Sequence, residues 1–446
     1  MKIIIEKRIY IYDMPIIEKI LKKHLTMTNP KYTDAIQNAR RVYGIQKNIS
    51  AYKKHKDCFS VPRGVEGYLC ILCNKYYPDI SFDDKTTYNV NIKFKCNITP
   101  YKEQLPAVNA CLNNEVGVLQ LPTGTGKTVV ALYVTYKRSQ KTFIICHTKE
   151  LMYQWQARIK QFLDYDCGLV GDNHFNIKDI TVGLVTSTIN KNKKHNFCKD
   201  FGMLIVDENH KVPGRTFSEC VSLFKSFYIL GLTATPKRRD GLGNFIFWSL
   251  GDIIYKMNKS EAVRQGKILK PKIIKVQTNL FFNGERGDYV SLLSKLKKSN
   301  IRNQIIVDEI KKASQQNYSC CLVLSDHSTH LDFIKKNLDF EQISYHYLSG
   351  KISTKKRKQV VEDLNNNKVT ILLATTSLIA EGFDYGGFTD LFLCMPISYD
   401  GRLEQILGRL IRTQSGKKQV RVYDFVDNNP VFLKQWHKRL KVYSSY

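Results

Sequence analysis

The sequence predicts an α/β fold class: two tandem α/β units behind a small α+β N-terminal unit. Three observations predict it. Short apolar runs alternate with helix-compatible stretches through most of the chain, the pattern of parallel strands covered by helices. A length of 446 residues suggests roughly three domains. Hydrophobic residues make up 43% of the chain, enough for real cores rather than disorder.

Residues 1–99 are the expected N-terminal unit, with nucleic-acid recognition as its role. Lys2 to Tyr12 alternates like a strand, and Pro15 to Leu25 has the spacing of an amphipathic helix. Residues 100–255 are the first α/β unit. Its leading signal is Leu121-Pro122-Thr123-Gly124-Thr125-Gly126-Lys127-Thr128, set between the apolar runs Val116 to Leu119 and Val129 to Val134. Strand, Gly-rich loop and helix in that order make a phosphate cradle, because glycine lets backbone N–H groups approach the ligand. Thr123, Gly124, Thr125 and Gly126 are the expected cradle. Lys127 is the expected contact to the β- and γ-phosphates, and the Thr128 hydroxyl an expected Mg²⁺ ligand. Leu121 stands where the general G-x-x-x-x-G-K-[ST] pattern has its first glycine.

Met203 to Val206 reads as a buried strand and runs into Asp207-Glu208-Asn209-His210. Carboxylates at a strand end suit a nucleotide site: Asp207 in the Mg²⁺ shell, Glu208 to orient or deprotonate the attacking water. A further strand, Phe227 to Leu230, leads into Gly231-Leu232-Thr233-Ala234-Thr235-Pro236. Residues 256–446 are the second α/β unit, with strands expected at Cys320 to Leu324, Thr370 to Ala374, Asp390 to Cys394 and Val420 to Phe425. Phe281 to Arg302, with Gly284, Gly287 and a Lys-rich run, reads either as a small basic insert touching DNA or as a surface helix. Gln405-Ile406-Leu407-Gly408-Arg409-Leu410-Ile411-Arg412 puts two Arg three apart, which on a helix is one face.

Taken jointly, these segments resemble the superfamily 2 helicases and translocases in order and spacing. The resemblance implies two RecA-like domains with the ATP site between them. It makes Lys127, Asp207, Glu208, Arg409 and Arg412 catalytic, the last two as an arginine-finger pair. Thr233 and Thr235, with His210 and Gln405, couple hydrolysis to movement. Gln104, in Pro100-Tyr101-Lys102-Glu103-Gln104, resembles the adenine-reading Gln, at a longer spacing than usual. His147-Thr148-Lys149-Glu150-Leu151 through Gln154-Trp155 resembles the "P-T-x-x-L-x-x-Q-W" junction. Thr375-Thr376-Ser377 with Glu381-Gly382-Phe383-Asp384 resembles the "T-x-x-x-x-x-G-x-D" segment. By resemblance Thr148, Lys149, Thr375, Thr376 and Ser377 line the nucleic-acid track, and Gly382 and Asp384 the nucleotide. With Leu348-Ser349-Gly350, Arg357 and the closing Val422 to Asp427, the set is similar to the branch of UvsW-like phage helicases, xeroderma-pigmentosum-B-type translocases and poxvirus transcript-release helicases. Asn29-Pro30-Lys31-Tyr32 and Arg40-Arg41 resemble the start of the phage members. ATP and Mg²⁺ are the implied cofactors, and 3′→5′ the implied direction.

The net charge of +29, from 69 Lys and Arg against 40 Asp and Glu, attracts polyanions. No basic amphipathic helix or lipidation signal points to a membrane instead. The expected partner is DNA, as branched or forked duplex with a single-strand track, with an RNA–DNA hybrid as a further candidate and the chain acting as a monomer. No apolar run approaches the ~20 residues of a membrane span. Met1 to Glu6 lacks the apolar region and cleavage site of a secretory signal. The expected place of action is the cytoplasm of an infected cell, or wherever viral DNA is replicated.

Twelve Cys are scattered. His55-x-x-Cys58 and Cys70-x-x-Cys73 have zinc-ligand spacing, but Tyr68 to Cys73 also reads as the apolar stripe of a short helix, and the expectation is no zinc. Two function classes stay open: a helicase or translocase on branched DNA in replication, recombination or repair, and a transcription-linked translocase that releases transcripts or opens promoters. The N-terminal unit favours the first. An inactive clamp is disfavoured by the presence of Lys127, Glu208 and both arginines.

Overall fold

Five parallel strands form the middle of an eight-stranded sheet, in the order Ile180–Leu184, Thr142–Cys146, Met203–Asp207, Tyr228–Thr233 and Val116–Gln120. Parallel strands covered on both faces read as continuous apolar runs. Thr142–Cys146 and Met203–Asp207 are accordingly buried at every position. The register pairs Asp207 with Leu232 and Thr233 with Gln120. Three strands therefore end level, with an acidic residue, a threonine and the start of the Gly-rich loop at one edge. In open α/β sheets ligands bind beyond such carboxyl ends. Helices Lys127–Arg138, Lys149–Leu163 and Val185–His195 belong to the same unit. Phe143 lies at the centre of an aromatic cluster with Phe197, Phe201 and Phe224.

The computed structural model describes all residues except 90–91, 209–213, 235–240, 282–288, 317–318, 350–353, 382, 384, 398–399 and 415. The chain divides into two units, Met1–Leu121 with Gly126–Met257, and Pro122–Thr125 with Asn258–Tyr446.

Within the first unit, the N-terminal segment builds its own five-stranded sheet. The stretch read as one strand, Lys2 to Tyr12, is two: Lys2–Ile5 and Ile9–Tyr12 pair antiparallel about a turn closed by Glu6 N–H on Arg8 O. Ile3, Ile5, Ile9 and Ile11 point inward against helix Pro15–His24, through Ile17 and Leu21, and helix Glu66–Tyr76, through Leu69, Leu72 and Cys73. Phe245 and Trp248, from helix Asn244–Leu250, complete this core. The Arg63 guanidinium, 3% exposed, donates to the Ser226 carbonyl at 3.1 Å. Removing the N-terminal segment would therefore uncover two large apolar side chains and several buried acceptors. Cys73 is in this core and Cys70 half-buried on the same helix. Among the described residues no group of three or more His, Cys, Asp or Glu is gathered to hold a metal. Also among the described residues, no helix is long and apolar enough to cross a membrane.

The second unit carries six parallel strands in the order Pro271–Phe281, Val420–Asn428, Asp390–Leu393, Cys321–Ser325, Ile371–Thr375 and His346–Leu348. Two carboxylates of Val420–Asn428 point inward, and each meets a buried arginine. Arg302 holds Asp427 through both carboxylate oxygens at 2.8 and 3.2 Å and also donates to Cys394 O, all at 0% exposure for the pair. Arg439 holds Asp424 at 2.7 and 2.8 Å, and Tyr443 Oη adds a third donor. Losing one partner of such a pair costs about 3–5 kcal/mol, because the other charge stays buried alone. The basic run ending at Arg302 is thus not one DNA-facing surface. Its lysines lie on helix Tyr289–Lys298, anchored by buried Leu292 and Leu296, while Arg302 belongs to the core.

His330 is fully buried between two hydrogen bonds, Nε2 to Asn303 Oδ1 at 2.9 Å and Nδ1 to Ser325 Oγ at 3.1 Å. Asn303 Nδ2 donates to Lys297 O, so Asn303 Oδ1 is an acceptor and Nε2 carries the proton of a neutral ring. Burial, with Arg302, His327 and Lys297 nearby, pulls its pKa down to about 3. Below pH 6.5 the unfolded chain takes up a proton here that the folded chain refuses, so stability falls as pH falls. The full effect, reached near pH 3, is of order 5 kcal/mol. The thermal midpoint of the wild type should drop between pH 6.5 and 5 more steeply than that of His330→Gln. Equal slopes would remove His330 as the source.

Candidate active site

The Gly-rich loop leaves strand Val116–Gln120 and enters helix Lys127–Arg138 through Gly126, at φ +91° and ψ +30°. A left-handed backbone favours glycine. A Cβ on Gly126 would sit 2.3 Å from Gln104 Nε2, so any larger residue would push that amide aside. The Gln104 amide thus lies directly against the loop, despite the longer spacing in the sequence. It is 8% exposed, and its Oε1 accepts from Tyr101 N–H at 3.0 Å. Thr125 is buried, its hydroxyl donating to Pro122 O at 2.8 Å, which fixes the turn. Thr123 and Gly124 form the turn before it. Lys127 and Thr128 are the first two helical residues, where backbone N–H groups have no intrahelical acceptor and the helix end is electropositive. Lys127 Nζ donates to Leu121 O at 3.0 Å, folding back over the loop.

Asp207 closes strand Met203–Asp207 and is 9% exposed. Its Oδ2 accepts from Trp155 Nε1 at 2.8 Å. Burial raises its pKa to about 6, and Glu208 pushes the same way, while Trp155 and Lys127 pull it down. Glu208 has φ +47°, a left-handed backbone that a side-chain-bearing residue adopts at a cost of about 1–2 kcal/mol. Two adjacent carboxylates, one buried and one on a left-handed backbone, make a hard-oxygen donor set of the kind that Mg²⁺ takes. Thr233, fully buried, ends strand Tyr228–Thr233, and its carbonyl accepts from Leu121 N–H at 3.1 Å. Thr233 is therefore bonded to the base of the loop. His210 and Thr235 lie outside the described residues, as do Gly382 and Asp384.

Trp155 is the residue whose role sequence reasoning missed. The Gln154-Trp155 pair was read as part of a nucleic-acid junction. In the structure the indole orients the Asp207 carboxylate from helix Lys149–Leu163. An invaginated Trp with a polar ring atom needs an acceptor, and that requirement is the signal the sequence offered.

Other assigned side chains are partly committed elsewhere. Thr148 caps helix Lys149–Leu163 by accepting from Leu151 N–H at 3.3 Å. Lys149 pairs with Asp172, whose pKa this lowers. Thr376, at the head of helix Thr376–Glu381, is 2% exposed, whereas Ser377 is exposed and donates to Thr375 Oγ1 at 3.3 Å.

In the second unit, Gln405 and Arg409 lie half-buried on helix Asp400–Leu410, and Arg409 Nη1 donates to Phe383 O. The expectation that Arg409 and Arg412 share one helical face is corrected. The helix ends at Leu410, and Arg412 forms an antiparallel bridge with Ile268. Leu269 N–H takes the Ile411 carbonyl at 2.8 Å, so the chain leaves the helix to pair with that segment.

Comparison with known proteins agrees with this arrangement. Residues 97–238 match the family described as "Type III restriction enzyme, res subunit", and residues 301–414 match "Helicase conserved C-terminal domain". "DNA 3'-5' translocase XPB2" of Sulfurisphaera tokodaii is 38% identical over 207 residues, covering 46% of this chain and 46% of that protein. The matched segment thus spans about half the length of that relative. "ATP-dependent DNA helicase uvsW" of Enterobacteria phage T4 is 24% identical over 358 residues, covering 74% of this chain and 69% of its own. The solved structure of S. cerevisiae Dbp5 bound to RNA and ADP BeF3 shares the fold, with a TM-score of 0.56 at 14% identity, covering 78% of this chain and 88% of that one. The two α/β units are RecA-like, and the chain belongs to the superfamily 2 helicases, with similarity to their UvsW-like and xeroderma-pigmentosum-B-like members.

Proposed function

We propose that this chain is an ATP-driven DNA helicase or translocase acting on forks and junctions in replication, recombination or repair. One observation carries the motor part. Gln104, Lys127, Asp207 and the Thr233 carbonyl converge on a single Gly-rich loop at the carboxyl edge of one parallel sheet. In this reading the loop N–H groups and Lys127 bind the β- and γ-phosphates, and Gln104 reads the adenine. Thr128 and Asp207 would hold Mg²⁺, which would supply neutralisation of the charge that develops on the phosphates. Glu208 orients the attacking water and takes its proton. Arg409 and Arg412 stabilise charge on the transferring phosphoryl group. Loss of that charge on hydrolysis is felt at Thr233, through its bond to Leu121. Thr148, Lys149, Thr375, Thr376 and Ser377 line the strand track. Residues 1–99 recognise the branch, supported by the separate sheet they build and the +29 excess of the chain. A 3′→5′ direction is supported by the translocase relative's description.

The test uses the full chain, because deletion of the N-terminal segment would expose Phe245 and Trp248. Strand displacement is compared on forked, four-way and unbranched tailed duplexes at one salt concentration, since affinity for any duplex shifts with salt. Forks and junctions should be unwound several-fold faster. Equal rates on branched and unbranched substrates, or activity only on stalled transcription complexes, would favour the transcription-linked translocase instead.

A further inference from the structure

Away from the nucleotide site, the first unit holds a second cleft of about 420 Å³. That is within the range of small-molecule sites. One wall comes from the N-terminal segment and presents Lys7, Arg8, Lys53 and Arg63. The other comes from helices Gly214–Val221 and Asn244–Leu250 and their flanks, with the Ser218 and Ser249 hydroxyls, which bond each other at 3.3 Å and leave one O–H between them, and Ser222, whose hydroxyl donates to Glu219 O at 2.8 Å. Tyr52 and Phe245 add ring surface, and Glu219 is the one carboxylate of the lining.

Arg8 is the unusual member. It is 7% exposed, and its guanidinium donates to Ser60 Oγ at 3.1 Å, Ala51 O at 2.8 Å and Ser60 O at 3.0 Å. All three acceptors are neutral, and among the described residues no carboxylate pairs with it. A buried charge without a counter-charge is costly. The arginine pairs Arg302–Asp427 and Arg439–Asp424 show how the same chain neutralises such a group when no ligand is involved. Arg63 is partly balanced by Glu66 at 3.0 Å, while Lys7 and Lys53 are exposed at the rim. The cleft therefore carries a net positive charge, a hydroxyl donor and an aromatic face together.

We propose that this cleft binds a phosphate-bearing nucleotide unit, its phosphate against Arg8, Lys7 and Lys53 and its ring along Tyr52 and Phe245. Several cations with a hydroxyl donor suit a phosphate, and aromatic faces suit a base. The unit is supplied either by a nucleic-acid strand or as a free nucleotide. Only the first source rests on the motor reading. The position has a consequence for that reading. Helix Gly214–Val221 is the next described element after Asp207-Glu208, and Arg63 bonds the Ser226 carbonyl just ahead of strand Tyr228–Thr233. An occupant of the cleft thus lies against helix Gly214–Val221, which follows the acids in the chain, and against Arg63, which holds the carbonyl ahead of the Thr233 strand.

The test is calorimetric titration of the full chain, its nucleotide site first filled with a non-hydrolysable ATP analogue and Mg²⁺. The probes are thymidine monophosphate and a short oligothymidylate. Two variants are compared with wild type: Lys7→Glu/Lys53→Glu, which reverses charge at the rim, and Ser222→Trp, which fills the cleft without changing charge. Thermal midpoints check that both fold. Both should weaken binding about tenfold or more. Loss of monophosphate binding marks a free nucleotide as occupant; loss for the oligothymidylate alone marks a strand. The proposal is overturned if wild type binds neither probe, or if both variants bind as wild type. It is equally overturned if only the charge reversal weakens binding, which is the behaviour of general surface charge. DNA-stimulated ATP turnover of the wild type, measured alongside, reports separately on the motor reading.

Discussion

Lys127→Ala is expected to abolish ATP turnover, with and without DNA, while the fold survives. The side chain supplies a cation at the head of helix Lys127–Arg138, where the proposed function places the phosphates. Removing a preorganised charge aimed at the reacting phosphates costs roughly 10²–10³-fold or more in kcat. A second loss adds to it. Lys127 helps hold Asp207 ionised against burial and Glu208, so its removal shifts Asp207 further towards the protonated form. A protonated Asp207 is a poor Mg²⁺ ligand. Ala is the best helix former, and Lys127 is only half-buried, so the thermal midpoint should hardly move. Wild-type turnover in this variant would overturn the site assignment.

Arg412→Ala is the second large effect. An arginine that grips charge only in the transition state should leave nucleotide Kd nearly unchanged and lower kcat by ~10³-fold or more. The backbone bridge between Ile268 and Arg412 does not need the side chain, so the local fold should persist. The variant has a readout besides turnover. Lys417 is half-buried, donating to Gly386 O at 2.8 Å, and its pKa is pulled down to about 8, first by desolvation and in part by Arg412. Removing Arg412 should raise the Lys417 pKa, so that a pH-dependent signal near 8 moves upward. An unchanged kcat would count against the transition-state role. A Kd raised as much as kcat falls would make Arg412 a ground-state contact.

Much of this site could be read from the residues because its parts are local. The loop, the strand-end acids and the Thr233 segment each declare themselves within a few positions, and a parallel sheet brings strand ends to one edge wherever they lie in sequence. The strands expected at Met203 to Val206, Thr370 to Ala374 and Val420 to Phe425 are found as Met203–Asp207, Ile371–Thr375 and Val420–Asn428. What could not be read depends on partners remote in the chain. Nothing near Arg302 says that its counter-ion is Asp427, so a core arginine looked like part of a basic surface. The helical spacing of Arg409 and Arg412 was genuine, but a pairing with Ile268 draws the second one off the helix. Trp155 looked like part of a binding junction until its partner Asp207 was known. The tight approach of Gln104 to Gly126 likewise required the fold.

The strand order of the second sheet also bears on how the protein is made. Its earliest strand, Pro271–Phe281, lies at the sheet edge and pairs only with Val420–Asn428, the latest strand to be synthesised. At typical elongation rates the interval between the two is on the order of ten seconds. For that time an eleven-residue strand leaves the ribosome with no ladder to join. The carboxylates that Arg302 and Arg439 neutralise arrive on the same late strand, so Arg302 also waits without its counter-ion. The first half of the motor can close its sheet and start folding while the second half is still an open chain. Chaperone dependence and aggregation should therefore trace to the second half, and slower translation downstream of residue 281, which lengthens that wait, should worsen them.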